Sequence, residues 1–210
     1  MKKYPDNISD LDNLMSLNLS GTSITELPET IGQMPSLMSI NLSHLVDFNV
    51  DQTIPKLAEI STLRSVDLGY DNISQLPQSM GLLTDLEVLY LSGNPLKTLP
   101  VEFKEMSHLH TLYINDDEFL EIENTMNVLA TVPTLYELHL DNYGLEDIPK
   151  EFHKLTQLRS LFIYDNQATL FPELIKETNM RSLDMKYNPV PRDFGYDYRL
   201  SPLVTLTLGD

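Results

Sequence analysis

Ring-bearing side chains recur at regular intervals in the middle of the chain. Tyr90, Tyr113, His139 and Phe162 are separated by 23, 26 and 23 residues. Each follows a leucine in an alternating apolar and polar pattern, which is typical of a strand with one buried face. We therefore predict that the rings lie side by side on the solvent-facing surface of neighbouring strands. Aromatic side chains placed in this way often dominate the energetics of binding.

The sequence offers little support for catalytic or metal chemistry. His110 and His139 are predicted on one face but about 10 Å apart along the strand direction, too far to share a metal ion without further ligands. Asp116, Asp117 and Glu118 lack the glycine and spaced oxygen ligands of a calcium-binding loop. The chain has no cysteine, no G-x-S-x-G motif and no P-loop. We therefore predict no enzymatic activity, no cofactor and no metal site.

The charge is strongly acidic, with 31 acidic and 14 basic residues and a formal net charge of -17. This balance argues against binding to nucleic acid or to anionic membranes, because both need lysine and arginine. Basic protein partners remain possible. No lysine or arginine occurs between Lys104 and Lys150, and within this window we predict an acidic rim formed by Asp116, Asp117 and Glu118.

Two features of composition bear on localisation. The absence of cysteine favours a reducing compartment, and no apolar segment of signal-peptide or membrane-spanning length is present. We therefore expect a cytoplasmic protein, with delivery into a host cell as an effector left as an alternative.

The rings belong to a repeat that covers nearly the whole chain. Residues 86 to 108, "LEVLYLSGNPLKTLPVEFKEMSH", follow the frame L-x-x-L-x-L-x-x-N-x-L-x-x-L-P-x-x-I-x-x-L-x-x, and frame positions are counted from its first leucine. Residues 14–210 form the predicted repeat domain, and residues 1–13 form a partial cap through Ile8 and Leu11. The repeats begin at residues 14, 37, 63, 86, 109, 135, 158, 180 and 203.

Frame position nine is predicted to hold the turn that follows each strand. Asn94, Asn166 and Asn188 occupy it, and an asparagine side chain offers both a donor and an acceptor to backbone groups. Asp71 and Asp117 are near substitutes. The remaining turns depart from the pattern at Thr22, Leu45 and Tyr143. A Leu-Pro or Ile-Pro pair then starts the returning turn or short helix, because proline lacks an amide donor.

This frame resembles the leucine-rich repeat family over residues 14 to 210. The L-P-x-x-I-x-x-L part is similar to repeats of Ras-pathway scaffold proteins, plant intracellular Ras-group proteins and bacterial effectors. The resemblance implies an α/β repeat solenoid, a curved horseshoe with a concave parallel sheet of about nine strands and short helices or turns on its convex side. It also implies a recognition module without enzymatic activity that binds another protein on its concave face.

Frame positions two, three, five, seven and eight are predicted to face this concave surface. We predict a partner-binding patch from its rings and one flanking cation: Tyr90, His110, Tyr113, Tyr136, His139, Phe162, Tyr164 and Arg159. An alternative role for the rings is to stack across strands and stabilise the sheet by about 0.2–1 kcal/mol per pair. Both roles can hold together.

Two repeats are 26 residues long, and their insertions are predicted to differ. In the second repeat we expect an extra loop before Ile54–Pro55. In the fifth, Met126, Leu129 and Ala130 recur at helical spacing, which predicts a convex helix from about Thr125 to Thr131 capped by Asn124 or Thr125.

Neither end of the array shows an obvious capping repeat. Two alternative functions follow from this. The first is a structural unit that self-associates end to end, and the second is the substrate-recognition part of a larger enzyme such as a ubiquitin-ligase effector.

Overall fold

The computed structural model describes residues 8–117, 119–146, 148–168, 179–189 and 205–207. In these ranges nine three-residue strands form one sheet in sequence order, and all neighbouring strands are parallel. The predicted parallel sheet of about nine strands is therefore confirmed. The strands are β1 Ser16–Asn18, β2 Ser39–Asn41, β3 Ser65–Asp67, β4 Val88–Tyr90, β5 Thr111–Tyr113, β6 Glu137–His139, β7 Ser160–Phe162, β8 Ser182–Asp184 and β9 Thr205–Thr207.

The pairing register follows the repeat. The first residues of neighbouring strands lie 23, 26, 23, 23, 26, 23, 22 and 23 residues apart along the chain, which are the intervals between the predicted repeat starts. Equal frame positions therefore stand next to each other across the sheet and form columns of side chains. The boundary between cap and repeat domain stays a prediction.

The repeated leucines form a continuous core under the sheet. In the fourth repeat, Leu86, Leu89 and Leu91 at frame positions one, four and six are at most 1% exposed. Burying one such side chain stabilises the fold by about 1.5–3 kcal/mol. The outer residues of β2, β3, β4, β6, β7 and β8 are half-buried while the central one is buried. One face of the sheet thus packs on the core, and the other, the concave face, meets solvent.

Short 3-10 helices cover the opposite, convex side in the regular repeats. They are Glu29–Gln33, Gln78–Leu82, Val101–Glu105 and Lys150–Lys154, and each directly follows a proline. The proline is extended and its carbonyl accepts the first turn's hydrogen bond, as from the Phe103 amide to Pro100 at 3.1 Å. The predicted role of the Leu-Pro pair is confirmed in these four repeats. In the seventh repeat the corresponding pair is Phe171–Pro172, which we also predict to start the returning segment and which lies outside the described residues.

The second repeat corrects the expectation of an extra loop. It contains helix α1, Val50–Ala58, which begins after Asn49, whose side chain accepts a hydrogen bond from the Gln52 amide at 3.1 Å. The buried residues of α1 recur at helical spacing: Val50, Thr53, Ile54 and Leu57. Pro55 is exposed inside this helix instead of starting it. The three added residues therefore lengthen the convex segment into an α-helix.

The predicted helix of the fifth repeat is confirmed, with earlier ends. Helix α2 spans Ile122–Leu129, and Met126 and Leu129 are fully buried as expected. The predicted caps were wrong, because Asn124 and Thr125 lie inside the helix. Glu121 precedes it instead, anchored by its amide to the Lys97 carbonyl at 2.9 Å.

At the N-terminus the predicted cap is only partly observed. Ile8 begins a 3-10 helix, Ile8–Asp10, and is buried. Leu11 is 50% exposed, so it does not close the core as expected.

The asparagine turns are confirmed as predicted. The Asn94 amide nitrogen donates to the carbonyls of Leu68 and Leu91 at 2.8 and 2.7 Å, and its oxygen accepts from the amides of Asp71 and Ile73 at 3.0 Å. Asn166, three repeats further along the chain, makes the same four kinds of contact. One side chain thus joins two successive repeats through four backbone groups.

The departures from asparagine are accommodated individually. The Thr22 hydroxyl donates to the Leu19 carbonyl at 2.7 Å, which reproduces one of the four asparagine bonds. The Tyr143 hydroxyl donates to the Leu120 carbonyl. Leu45 is buried and its amide donates to Asp71 at 2.7 Å. All three turns keep the chain in register.

Candidate functional site

The four predicted rings form one continuous stack across β4 to β7. The ring centroids lie 4.4 Å apart for Tyr90 and Tyr113, 3.9 Å for Tyr113 and His139, and 4.1 Å for His139 and Phe162, with interplanar angles of 13°, 18° and 2°. Strand spacing sets this distance, because each ring rises from the same frame position of its strand. The sheet thus brings together residues that are up to 72 positions apart in the sequence.

A second, shorter stack lies beside the first. His110 stacks on Tyr136 with a centroid distance of 4.9 Å. The His110 Nε2 atom is 3.5 Å from Glu87 Oε2, and the other oxygen of Glu87 is 3.5 Å from Arg64 Nε. This edge of the concave face therefore combines rings with an ion-paired carboxylate.

Carboxylates hold the central imidazole between its two ring neighbours. His139 Nε2 is 3.1 Å from Glu137 Oε1, and Nδ1 is 3.7 Å from Asp141 Oδ2. Burial raises the pKa of the Tyr113 hydroxyl to about 12, and the Tyr90 hydroxyl and Glu137 add to this effect. The centre of the stack is thus a surface of rings set among negative charges.

The predicted patch residues differ in how much they meet solvent. Tyr136 and Tyr164 are 42% and 41% exposed, whereas Tyr90, His110, Tyr113, His139, Phe162 and Arg159 are half-buried. The Arg159 guanidinium donates to the Leu158 and Asn179 carbonyls at 3.4 Å. The observed stacking matches the alternative role of stabilising the sheet, and a role in binding stays a prediction.

The acidic rim needs correction. Asp116 is exposed, but Asp117 is fully buried, and Glu118 lies outside the described residues. Asp117 occupies frame position nine, so its side chain points into the turn like that of Asn94. Burial raises the pKa of its carboxyl to about 7, opposed by the nearby amides of Leu96 and Phe119.

A second chain of side chains, which the sequence analysis missed, runs along the loop edge of the concave face. The Tyr70 ring stacks on His44 at 4.9 Å and lies so close over Gly93 that a Cβ there would be 2.2 Å from it. Its hydroxyl donates to Asp116 Oδ2 at 2.6 Å, and Asn142 Nδ2 donates to Asp116 Oδ1 at 2.6 Å. This Tyr70 bridge, formed by His44, Tyr70, Asp116 and Asn142, connects the second to the sixth repeat.

The residues of the Tyr70 bridge share frame position eight, where the backbone is left-handed. The φ angles there run from 50° to 69° in the first eight repeats: Gly21, His44, Tyr70, Gly93, Asp116, Asn142, Asp165 and Tyr187. Glycine, asparagine and aspartate are the residues that tolerate this conformation best. Their recurrence in one column was a readable signal for a tight turn at this edge.

Hydrogen bonding at frame position seven differs between ring and polar repeats. Where position five is polar, its oxygen accepts the amide two residues later, as in Asn41 to Ser43 at 2.9 Å and Asp67 to Gly69 at 2.9 Å. In the repeats of Tyr113, His139 and Phe162, a side chain of the preceding repeat supplies the acceptor instead. The resulting relay passes from the Asn115 amide to Ser92 Oγ at 3.2 Å, from the Asp141 amide to Asn115 Oδ1 at 2.8 Å, and from the Tyr164 amide to Asp141 Oδ1 at 2.8 Å.

The described residues contain neither a cluster of metal-binding side chains nor a membrane-spanning helix. No three histidine, cysteine, aspartate or glutamate side chains converge there in a way that would hold a metal ion. No helix in the same residues is long and apolar enough to span a membrane.

Comparison with solved structures finds the same fold over almost the whole chain. A leucine-rich repeat protein of Leptospira interrogans is 28% identical, with a TM-score of 0.73, and the match covers 98% of this chain and 51% of that one. Toll from the Drosophila Toll–Spätzle complex is 23% identical, with a TM-score of 0.75 and coverages of 100% and 28%. TLR13 from its complex with ssRNA13 is 24% identical, with a TM-score of 0.76 and coverages of 97% and 29%. The chain thus spans about half the length of the first of these proteins and less than a third of the length of the other two.

Comparison with sequence families gives the more direct result. No curated protein sequence gives a significant match. The family profile "Leucine-rich repeat region" matches residues 44–190, and the profile "Leucine Rich Repeat" matches residues 13–34. The chain therefore belongs to the leucine-rich repeat family.

Proposed function

We propose that this chain is a protein-interaction module without enzymatic activity, and that its concave face binds a partner protein through the ring stack. The observation that carries the proposal is the continuous run of four stacked rings over adjacent strands. Tyr136 and Tyr164 beside it are among the exposed large aromatic side chains. Clustered rings on a sheet surface give a large contact area at low entropic cost and are frequent binding hot spots.

The comparisons support a macromolecular partner in general terms. Toll was solved with Spätzle and TLR13 with ssRNA, so the fold itself does not select one class. The charge does, because a net charge of -17 opposes binding to a phosphate backbone. The proposal is therefore a protein partner and neither nucleic acid nor a membrane, in the cytoplasm, as the absence of cysteine suggests.

The test compares two double variants in affinity capture and in binding assays with whatever protein is captured. Tyr113→Ala with Phe162→Ala removes two rings of the stack. Leu82→Ala with Val101→Ala removes two side chains that are 56% and 61% exposed in the convex segments. We expect the ring variant to bind at least about 100-fold more weakly, since hot-spot truncations cost about 2 kcal/mol or more each, and the convex variant to bind normally.

Circular dichroism and thermal unfolding control for folding, because losing ring stacking lowers stability by about 1 kcal/mol per pair at most. Equal capture by both folded variants would exclude the ring stack as the binding surface. Light scattering over a range of concentrations separates this function from end-to-end self-association, which would raise the apparent mass with concentration.

Asp116 is the described residue of the predicted acidic rim that meets solvent, and we propose that it assists association with a basic partner. Replacing it with asparagine keeps an acceptor for Tyr70 and removes the charge. Association should then slow at low salt and change little at high salt. An unchanged association rate at low salt would contradict this contribution.

A further inference from the structure

An open cavity of about 270 Å³ lies on the concave face between the ring stack and the Tyr70 bridge. Its lining includes Asp67, Tyr90 and Tyr113 at frame position five and Tyr70 and Asp116 at frame position eight, with Gly69 at position seven between the two columns. Binding sites for whole small molecules usually begin at about 300 Å³. This cavity is therefore of the size that accepts a single side chain.

The ring stack ends at this cavity. Tyr90 is covered on one face by Tyr113, and on its other side the neighbouring strand places Asp67 directly beside it. No ring of β3 continues the stack. The second face of Tyr90 therefore borders the cavity next to a carboxylate.

The cavity is negatively charged. Its lining includes the carboxylates of Asp67 and Asp116 and contains no lysine or arginine. Asp67 Oδ1 accepts the Gly69 amide, whereas among the hydrogen bonds of the described residues none reaches Asp67 Oδ2. Arg64 of the same strand region is 3.5 Å from Glu87 and is not part of the lining.

The opposite end of the stack provides a contrast. Phe162 is followed there by Asp184, which also accepts the amide two residues later. Asp184 Oδ2, however, is 3.6 Å from Lys186 Nζ. Among the described residues, a lysine thus neutralises the carboxylate at one end of the stack, and no lysine or arginine pairs with the corresponding carboxylate at the other end.

We propose that the cavity between Tyr90, Asp67 and the Tyr70 bridge binds a lysine or arginine side chain of the partner protein. A cation over the face of a tyrosine is attracted by the ring, and a neighbouring carboxylate adds a charge-assisted hydrogen bond. This inference rests on the proposed function and names the chemistry of the partner. It also agrees with the excess of negative charge on the chain.

The test uses two small probes with the full chain, followed by NMR at 150 mM salt. N-acetyl-arginine amide carries one positive charge, and N-acetyl-citrulline amide has nearly the same shape without it. We expect the arginine probe to give saturable shifts at the amides of Gly69, Ser92 and Asn115, and the citrulline probe to give none. At this salt, charges more than about 8 Å away are largely screened.

Asp67→Asn is the informative variant, since Asn41 shows that an asparagine in this column keeps the hydrogen bond to the amide two residues later. It should bind the arginine probe about tenfold more weakly. Asp184→Asn is the matched control in the same column and should bind it normally. Tyr90→Leu should weaken binding as well, whereas Tyr90→Phe, which keeps the ring face, should not.

Three results would overturn the proposal: equal shifts with both probes, which identifies a neutral polar site such as one for a sugar; shifts spread over the acidic surface; or no effect of Asp67→Asn. The partner-binding assay separates this proposal from the proposed function. A captured protein that needs Tyr113 and Phe162 but not Asp67 leaves the function standing and refutes the cation site. If the arginine probe binds but no partner protein is captured, the cation site stands and the proposed function fails.

Discussion

The turns held by Asn94 and Asn166 and those held by Asp71 and Asp117 occupy the same frame position and differ in one property. An asparagine nitrogen donates to two carbonyls, but an ionised aspartate has no donor. Asp71 Oδ1 accepts the Leu45 amide at 2.7 Å, while Asp71 Oδ2 and both oxygens of Asp117 are buried and form no hydrogen bond of good geometry with the described residues. The amides of Leu96 and Phe119 lie near the Asp117 carboxyl. Burial raises the pKa of both carboxyls to about 7. The aspartate turns therefore occupy the position of the asparagine turns with fewer hydrogen bonds, and burial favours the protonated form of their carboxyls.

The largest expected effect comes from removing an asparagine turn. Asn94→Ala leaves two buried carbonyls and two buried amides without their partners. Each unpaired group costs about 1 kcal/mol or more, so the free energy of unfolding should fall by about 3–5 kcal/mol in urea denaturation. Asn127→Ala, at an exposed position of α2, is the control and should change stability little. If Asn94→Ala were as stable as Asn127→Ala, the hydrogen bonds of the Asn94 side chain would not hold neighbouring repeats together.

Converting the aspartate turns into asparagine turns should have the opposite and smaller effect. Asp71→Asn and Asp117→Asn each restore a neutral donor in a buried place. We expect each to raise the free energy of unfolding by about 1–3 kcal/mol at pH 8. The reverse change, Asn94→Asp, should lower stability at pH 8 and lower it less at pH 5. If both Asp→Asn variants were less stable than the wild type at pH 8, an asparagine side chain would not fit these two turns as it fits those of Asn94 and Asn166.

The same comparison predicts a pH dependence. Because the folded pKa values of Asp71 and Asp117 are raised to about 7 from an unfolded value of about 3.9, the folded state binds more protons between these limits. Their contribution to stability is therefore fully present below about pH 4 and lost as the pH rises to about 7, by at most about 1.4 kcal/mol per pH unit for each group. The stability difference between wild type and the double Asp→Asn variant should grow over this window and stay constant above it. A pH-independent difference would exclude titration of these carboxyls.

The smallest effect is expected at the Thr22 turn, where one side-chain hydrogen bond takes the place of the four that an asparagine makes. Thr22→Val removes the 2.7 Å hydrogen bond from the threonine hydroxyl to the Leu19 carbonyl and keeps the side-chain shape. A loss of about 1 kcal/mol in thermal or urea unfolding is expected. Thr131→Val, which removes a hydroxyl that donates to Val128 at an exposed position, serves as the comparison and should cost less.

The repeat period allowed most of the fold to be predicted, because the leucine spacing determines both burial and strand register. It did not show α1. Assigning Ile54–Pro55 to the Leu-Pro pair of the frame hides the helical spacing of Val50, Ile54 and Leu57. The leucine positions on either side of the insertion keep the repeat pattern, but the added residues change the local structure. The pattern alone therefore does not predict the structure of the inserted segment.

The candidate site was partly predictable for a similar reason. Column five placed the ring stack correctly, because equal frame positions must be neighbours in a parallel sheet. The cluster of acidic residues wrongly predicted Asp117 on the solvent-exposed rim. It is buried because it occupies frame position nine, whose side chain points into the turn. The Tyr70 bridge was missed because it depends on the left-handed backbone of frame position eight and on the space left by Gly93.

The position-seven relay from Ser92 to Tyr164 limits how freely repeats of this chain can be exchanged. In the repeats of Tyr113, His139 and Phe162, the amide at position seven donates to a side chain of the repeat before it, whereas in the polar repeats the acceptor lies in the same repeat. Duplicating or deleting a polar repeat leaves its neighbours unchanged in this respect. Moving a single ring repeat elsewhere would leave one amide without its acceptor. The repeats from β4 to β7 are thus expected to evolve, and to be engineered, as one block.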